Sequence, residues 1–104
     1  MSQDAAARQI KRVRSELLVV LKLLYPAAMT GEQILRSLLP VFPQLEWGQV
    51  RKDLAYLCEK GYVQRITAAS EPDPRLTPYR RRWFRLTPAG VEVADHCVED
   101  QALE

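Results

Sequence analysis

Val50-Arg51-Lys52-Asp53-Leu54-Ala55-Tyr56-Leu57-Cys58-Glu59-Lys60 runs straight into Gly61-Tyr62-Val63, and a later stretch reads Arg80-Arg81-Arg82-Trp83-Phe84-Arg85-Leu86-Thr87-Pro88-Ala89-Gly90. In the first stretch Val50, Leu54, Leu57 and Cys58 recur at helical spacing, and Gly61 follows at the position where a left-handed residue closes a helix. Gln49, Lys52, Asp53 and Tyr56 are expected on the opposite face, flanked by Arg51 and Trp47. Tyr62 to Thr67 is rich in β-branched and aromatic residues and reads as a strand. In the second stretch Arg80 to Leu86 alternates, with Phe84 and Leu86 on the inward side and Trp83 outward. Thr87-Pro88 is an N-cap followed by proline at the first helical position. The order is therefore helix, glycine stop, strand, loop, basic strand, capped helix.

Upstream, Asp4 is the expected N-cap of a first helix, with Ala5, Ala6 and Ala7 behind it as strong helix formers. Ile10, Val13, Leu17, Leu21 and Leu24 follow helical spacing, and Pro26 stops the pattern. Leu18, Val19, Val20 and Leu23 widen the apolar stripe beyond one face. Two readings stay open: part of this helix faces a partner subunit, or it is buried centrally in a small domain. Thr30-Gly31-Glu32-Gln33 is a capping box that opens a second helix carrying Ile34, Leu35, Leu38 and Leu39. Pro40 and Pro43 end it. The third helix is expected from Leu45 or Glu46, with Trp47 packed between helices two and three. Pro72, Pro74 and Pro78 make Ala69 to Pro78 a stiff loop rather than a paired strand. Val91, Ala94 and Val98 line the last helix, and residues 99–104 are expected to fray.

A chain of 104 residues is expected to form one domain, with its core over about residues 5–98. Net charge is only +2, but it is unevenly spread. Arg75 to Arg85 holds five arginines and no acid, while Glu92 to Glu104 holds five acids and no lysine or arginine. Cys58 and Cys97 lack partners at metal-ligand spacing and read as reduced packing residues. The N-terminal stretch does not have the pattern of a secretory signal, and Leu17 to Leu24 is too short to span a bilayer. The chain is expected in the cytoplasm and off the membrane.

Val50 to Leu57 with Gly61-Tyr62-Val63, then Trp83-Phe84-Arg85-Leu86-Thr87-Pro88-Ala89-Gly90, resemble the PadR and MarR-like winged-helix regulators. The resemblance covers roughly residues 10 to 98. It implies an α+β winged helix-turn-helix: a three-helix core, a two-stranded β-hairpin wing and a short C-terminal helix. It also implies that the third helix reads DNA. Carried over position by position, Gln49, Arg51, Lys52 and Tyr56 match the exposed positions of that helix. Arg75, Arg80, Arg81 and Arg82 match the wing. Members of these families dimerise through long additional terminal helices. Here the last expected apolar contact is Val98, so the first helix is the expected dimer contact.

The resemblance implies double-stranded DNA as partner and transcriptional regulation as function. Arginines and Lys52 would neutralise phosphates, while Arg51 and Gln49 are the candidates for base edges. Each candidate also has a structural reading: a solvated helix face for Arg51 and Lys52, and a charged strand edge for the triple arginine. Catalysis finds no support. His96 is the only histidine and stands in an acidic helix, and no phosphate-binding glycine loop exists among four glycines. No cofactor and no metal is expected. The rival reading is a winged-helix module that docks a larger protein complex, since one fold hosts many functions.

Overall fold

The structure is a computed structural model that describes residues 2–67 and 73–96. Cys97, Val98, the tail 99–104 and the loop positions 68–72 lie outside the described residues. Helix α1 spans Ser2–Leu24, α2 Gly31–Leu38, α3 Trp47–Glu59 and α4 Pro88–Asp95. Strands β1 (Met29–Thr30), β2 (Val63–Ile66) and β3 (Trp83–Leu86) form an antiparallel sheet in the order β1-β3-β2.

The helix ends follow the local signals with one exception. Helix α1 begins at Ser2, so Asp4 lies inside the first turn and is not the cap. Its C-terminal end falls at Leu24, just before Pro26. The capping box is present in full: Gln33 N–H donates to Thr30 Oγ1 at 3.1 Å, and Thr30 N–H donates to Gln33 Oε1 at 3.0 Å. Gly61 has φ of +81°, the left-handed backbone that stops α3.

The two diagnostic motifs touch each other. Thr87 N–H donates to Tyr62 O at 3.0 Å, and the Thr87 hydroxyl donates to Gly61 O at 2.6 Å. The same hydroxyl oxygen accepts from Gly90 N–H at 3.1 Å, capping α4. Gly90 is then pressed against the turn after α3, where an added Cβ would lie 2.0 Å from Tyr62 O. That obstacle is backbone and cannot swing away. Gly90→Ala is expected to destabilise the domain by at least about 2 kcal/mol through overpacking, read as a fall in Tm.

Val13, Leu17, Leu18 and Leu21 of α1 are fully buried, together with Ile34, Leu38, Val50, Leu54, Leu57 and Phe84. Helix α1 is thus the central post, with α2 and α3 on its flanks and α4 tied to its end by a Lys22–Asp95 ion pair. Beyond Leu21 its apolar stripe continues into solvent, where Leu23 is 79% exposed. Central burial accounts for the stripe as far as Leu21, and Leu23 lies beyond it.

Two features depart from the sequence reading. The wing hairpin β2–β3 gains a third strand, β1, whose Met29 stands opposite Phe84 and Thr30 opposite Trp83. The strand expected from Arg80 begins only at Trp83, because Tyr79–Arg81 form a 3₁₀ turn. Pro78 starts that turn, and Arg81 and Arg82 N–H groups close it onto Pro78 O and Tyr79 O. A preceding 3₁₀ turn covers Pro74–Leu76, capped by the Asp73 carboxylate. Within β3 the alternation holds: Phe84 and Leu86 are buried, Trp83 and Arg85 half-buried.

Candidate nucleic-acid interface

Helix α3 offers two distinct surfaces beside its core face. Gly48, Arg51, Lys52, Ala55 and Glu59 are exposed and recur at helical spacing, so they form one solvent stripe. Gln49, Asp53 and Tyr56 form the other flank, turned toward α1. Asp53 was expected on the exposed face and is instead fully buried. It lies three residues after Val50 and four before Leu57, which puts it on the edge of the apolar arc. Arg14 Nε of α1 donates to Asp53 Oδ1 at 3.0 Å, and Gln49 Nε2 donates to both carboxylate oxygens at 3.1 Å. The Arg14 guanidinium also lies 3.8 Å from the Tyr56 ring centre. Burial pushes the Asp53 carboxyl above its ordinary value, with Gln49 and Arg14 pulling back less strongly.

The structure therefore divides the α3 candidates. Arg51 and Lys52 stand on the exposed stripe. Gln49 is half-buried with its amide nitrogen committed to Asp53, and Tyr56 is half-buried beneath Arg14. Both belong to the joint that fixes the angle of α3 on α1. Glycine at position 48 and alanine at 55 keep the stripe low, and a Cβ at Gly48 would meet nothing within 4 Å.

The arginines of the wing base gather around two aromatic rings. Tyr79 sits between Trp47 and Phe84, with ring centres 6.2 Å and 5.4 Å away. The Arg51 guanidinium lies 5.1 Å from the Tyr79 ring and that of Arg82 lies 5.0 Å from it. Arg82 Nε further donates to Thr77 O at 3.0 Å. Tyr79 thus brings the exposed stripe of α3 and the root of the wing into one cationic cluster. Burial raises the Tyr79 phenol above its ordinary value, against the opposing pull of Arg82 and Arg51.

Arg80 lies 5.5 Å from the Trp47 ring and pairs with Glu32 at 3.1 Å. Glu32 also holds Arg36 at 2.9 Å, so an acid of α2 offsets one wing charge. Arg75 is 90% exposed on its side chain, with its guanidinium 3.4 Å from Asp73. Arg81 is exposed, and among the described residues no carboxylate pairs with it. Trp47 packs over Gly31 at the start of α2, as expected of a residue between helices two and three.

Sequence reasoning missed Asp53, Arg14 and Tyr79 as the residues that position this face. For Asp53 the signal was its spacing from Val50 and Leu57. For Tyr79 it was the aromatic set between Pro78 and the arginine run. Cys58 is half-buried with its thiol pushed up by burial, the character of a packing residue.

At the level of sequence, no family pattern and no characterised protein matches the chain. In three dimensions it is similar to several solved structures. A mutant MarR from E. coli shares 22% identity and a TM-score of 0.59 over 86% of this chain. ZitR of Lactococcus lactis, as a mutant in apo form, shares 18% identity and a TM-score of 0.62 over 94%. A mutant E. coli MarR complexed with operator DNA shares 18% identity and a TM-score of 0.59 over 96% of this chain and 70% of its own. The chain spans 57% of the length of the first of these and 63% of ZitR. At such identities the likeness speaks for the fold. The chain folds as a MarR-like winged helix-turn-helix domain, α+β, with four helices and a three-stranded antiparallel sheet.

Proposed function

We propose that this chain is a sequence-specific DNA-binding protein, a small transcriptional regulator formed as a single cytoplasmic domain. Helix α3 enters the major groove and the basic wing grips the flanking backbone. The observation that carries this reading is the exposed α3 stripe, where Arg51 and Lys52 stand between the small residues Gly48 and Ala55. A groove about 12 Å wide accepts a helix with such a low surface. Arg51 is exposed beside the Tyr79 ring, and an arginine on such a stripe is the usual partner of guanine O6 and N7. Lys52 and Arg81, unpaired with any carboxylate among the described residues, neutralise phosphates. Arg82 and Arg75 add to the wing, and Arg80 contributes less because Glu32 already holds it. E. coli MarR, which has this fold, is complexed with operator DNA in one of the similar structures.

Replacing Arg51 and Lys52 together with alanine tests the reading. The lost Lys52 phosphate contact is expected to flatten the slope of log K against log salt by about 0.9 on a random duplex, and the lost Arg51 base contact to weaken binding to a specific site. An unchanged slope would contradict a role for α3 in binding.

The dimer contact of this reading is the end of α1. Leu23, Leu24 and Tyr25 are 79%, 47% and 40% exposed, an apolar end unusual for a surface helix terminus. Leu23→Glu is expected to shift the molar mass in light scattering from dimer to monomer while the fold persists. A wild-type monomer would instead favour docking of a different protein on the same residues.

A further inference from the structure

We propose that the N-terminal half of α1 adds a phosphate-binding lip to the DNA-binding face, seating one backbone phosphate between Arg12 and Lys52. The inference rests on the functional reading above and extends it to a helix outside the recognition helix and the wing.

A concavity of about 780 Å³ opens between α1, the α2–α3 connection and the start of α3. Gln9 and Arg12 line it from α1, Phe42 from the connection, and Gly48 and Lys52 from α3. Gly48 and Lys52 belong to the exposed stripe of α3 as well, so the concavity continues the surface already assigned to DNA. On α1, Ala5, Gln9 and Arg12 are exposed at helical spacing and point along the same side. Residues 8 to 14 hold four bases and no acid.

Arg12 is held ready for an anion. Its guanidinium lies 5.3 Å from the centre of the Phe42 ring, which fixes the side chain without neutralising it. Among the described residues no carboxylate pairs with Arg12 or Lys52. Phe42 and Leu45 give the concavity apolar lining, and Arg12 and Lys52 bring a cation to it from each of two helices. A deoxyribose–phosphate backbone has the matching character, an apolar sugar edge beneath a charged phosphate. Glu46 is the one acid on the lining, and its carboxylate makes no capping bond to α3. It opposes the phosphate and limits the affinity of the lip.

The test is fluorescence anisotropy of the full chain on a labelled random duplex across a salt series. Arg12→Gln is expected to weaken binding and to reduce the salt slope by up to about 0.9, less than a whole contact where Lys52 still holds the shared phosphate. Arg12→Lys keeps the charge and is expected to restore the slope. Glu46→Gln is expected to tighten binding at every salt concentration. An Arg12→Gln slope equal to wild type, with Arg81→Ala still lowering it, overturns the lip and leaves the DNA reading standing. Wild type that does not bind duplex overturns both. Should Arg12→Gln fail to fold, Glu46→Gln decides alone, and unchanged affinity in that variant overturns the proposal.

Discussion

Phe84→Ala is expected to lower the unfolding free energy by about 3–5 kcal/mol, the cost of deleting a fully buried aromatic side chain. Phe84 has no exposed surface and stands on the central strand of the sheet, opposite Met29 on one side and Arg65 on the other. Its ring also supports Tyr79, which carries Arg51 and Arg82. The cavity therefore opens beneath the cationic cluster as well as in the core. For a domain of this size each kcal/mol is worth roughly 4–8 °C, so Tm is expected to fall by more than about 12 °C. Phe84→Leu keeps most of the volume and is expected to recover much of the loss. Thermal unfolding by circular dichroism measures both. A fall in Tm of only a few degrees for the alanine variant would mean that the sheet does not pack on the helices as described.

The second large effect belongs to Asp53→Ala. This change removes the acceptor of Arg14 and Gln49 and leaves a mostly buried guanidinium without an anion. Breaking a buried pair in this way costs about 3–5 kcal/mol, and the low end is expected here because Arg14 keeps 21% of its side chain in contact with water. Asp53→Asn keeps the shape and one acceptor oxygen but also leaves the guanidinium without an anion, and is expected to cost somewhat less than the alanine change. The pH dependence has a definite sign. Burial raises the folded carboxyl above its unfolded value, so the folded state takes up a proton at a higher pH than the unfolded chain. Acidification through the carboxylate range therefore favours folded wild type relative to Asp53→Asn. The opposite trend in urea midpoints would mean that the ion pair outweighs the cost of burial.

The two residues also explain how the site is built. Asp53 fixes α3 on α1, and Tyr79 fixes the wing root on α3. Neither is expected to touch DNA, and both set the relative placement of the groups that are.

Local signals were the most legible. The Thr30–Gln33 capping box, the positive φ at Gly61 and the Thr87-Pro88 start each depend on residues no more than a few positions apart. The pairing of Gly61-Tyr62 with Thr87–Gly90 was legible as a pattern, and the contact between Gly90 and Tyr62 O gives its cause. Strand β1 was not legible, because two residues carry no periodicity and Met29 pairs only once Phe84 is beside it. The 3₁₀ turn at Tyr79–Arg81 was hidden by an alternation that three successive arginines imitate. The burial of Asp53 was not legible from its spacing alone, because a carboxylate at the edge of an apolar arc is buried only when a partner pairs with it, and that partner, Arg14, lies 39 residues away. The Arg80–Glu32 pair joins residues far apart in sequence, so the effective charge of the wing could not be read from a count of arginines.

The central claim is that the exposed stripe of α3 and the wing bind duplex DNA through phosphates. Its most direct measurement is the anisotropy of a labelled random duplex with the wild-type chain from low to physiological salt. The account predicts micromolar binding whose log K falls linearly with log salt, with a slope of about −0.9 for each phosphate engaged. Absence of binding at low salt, or affinity independent of salt, would contradict it.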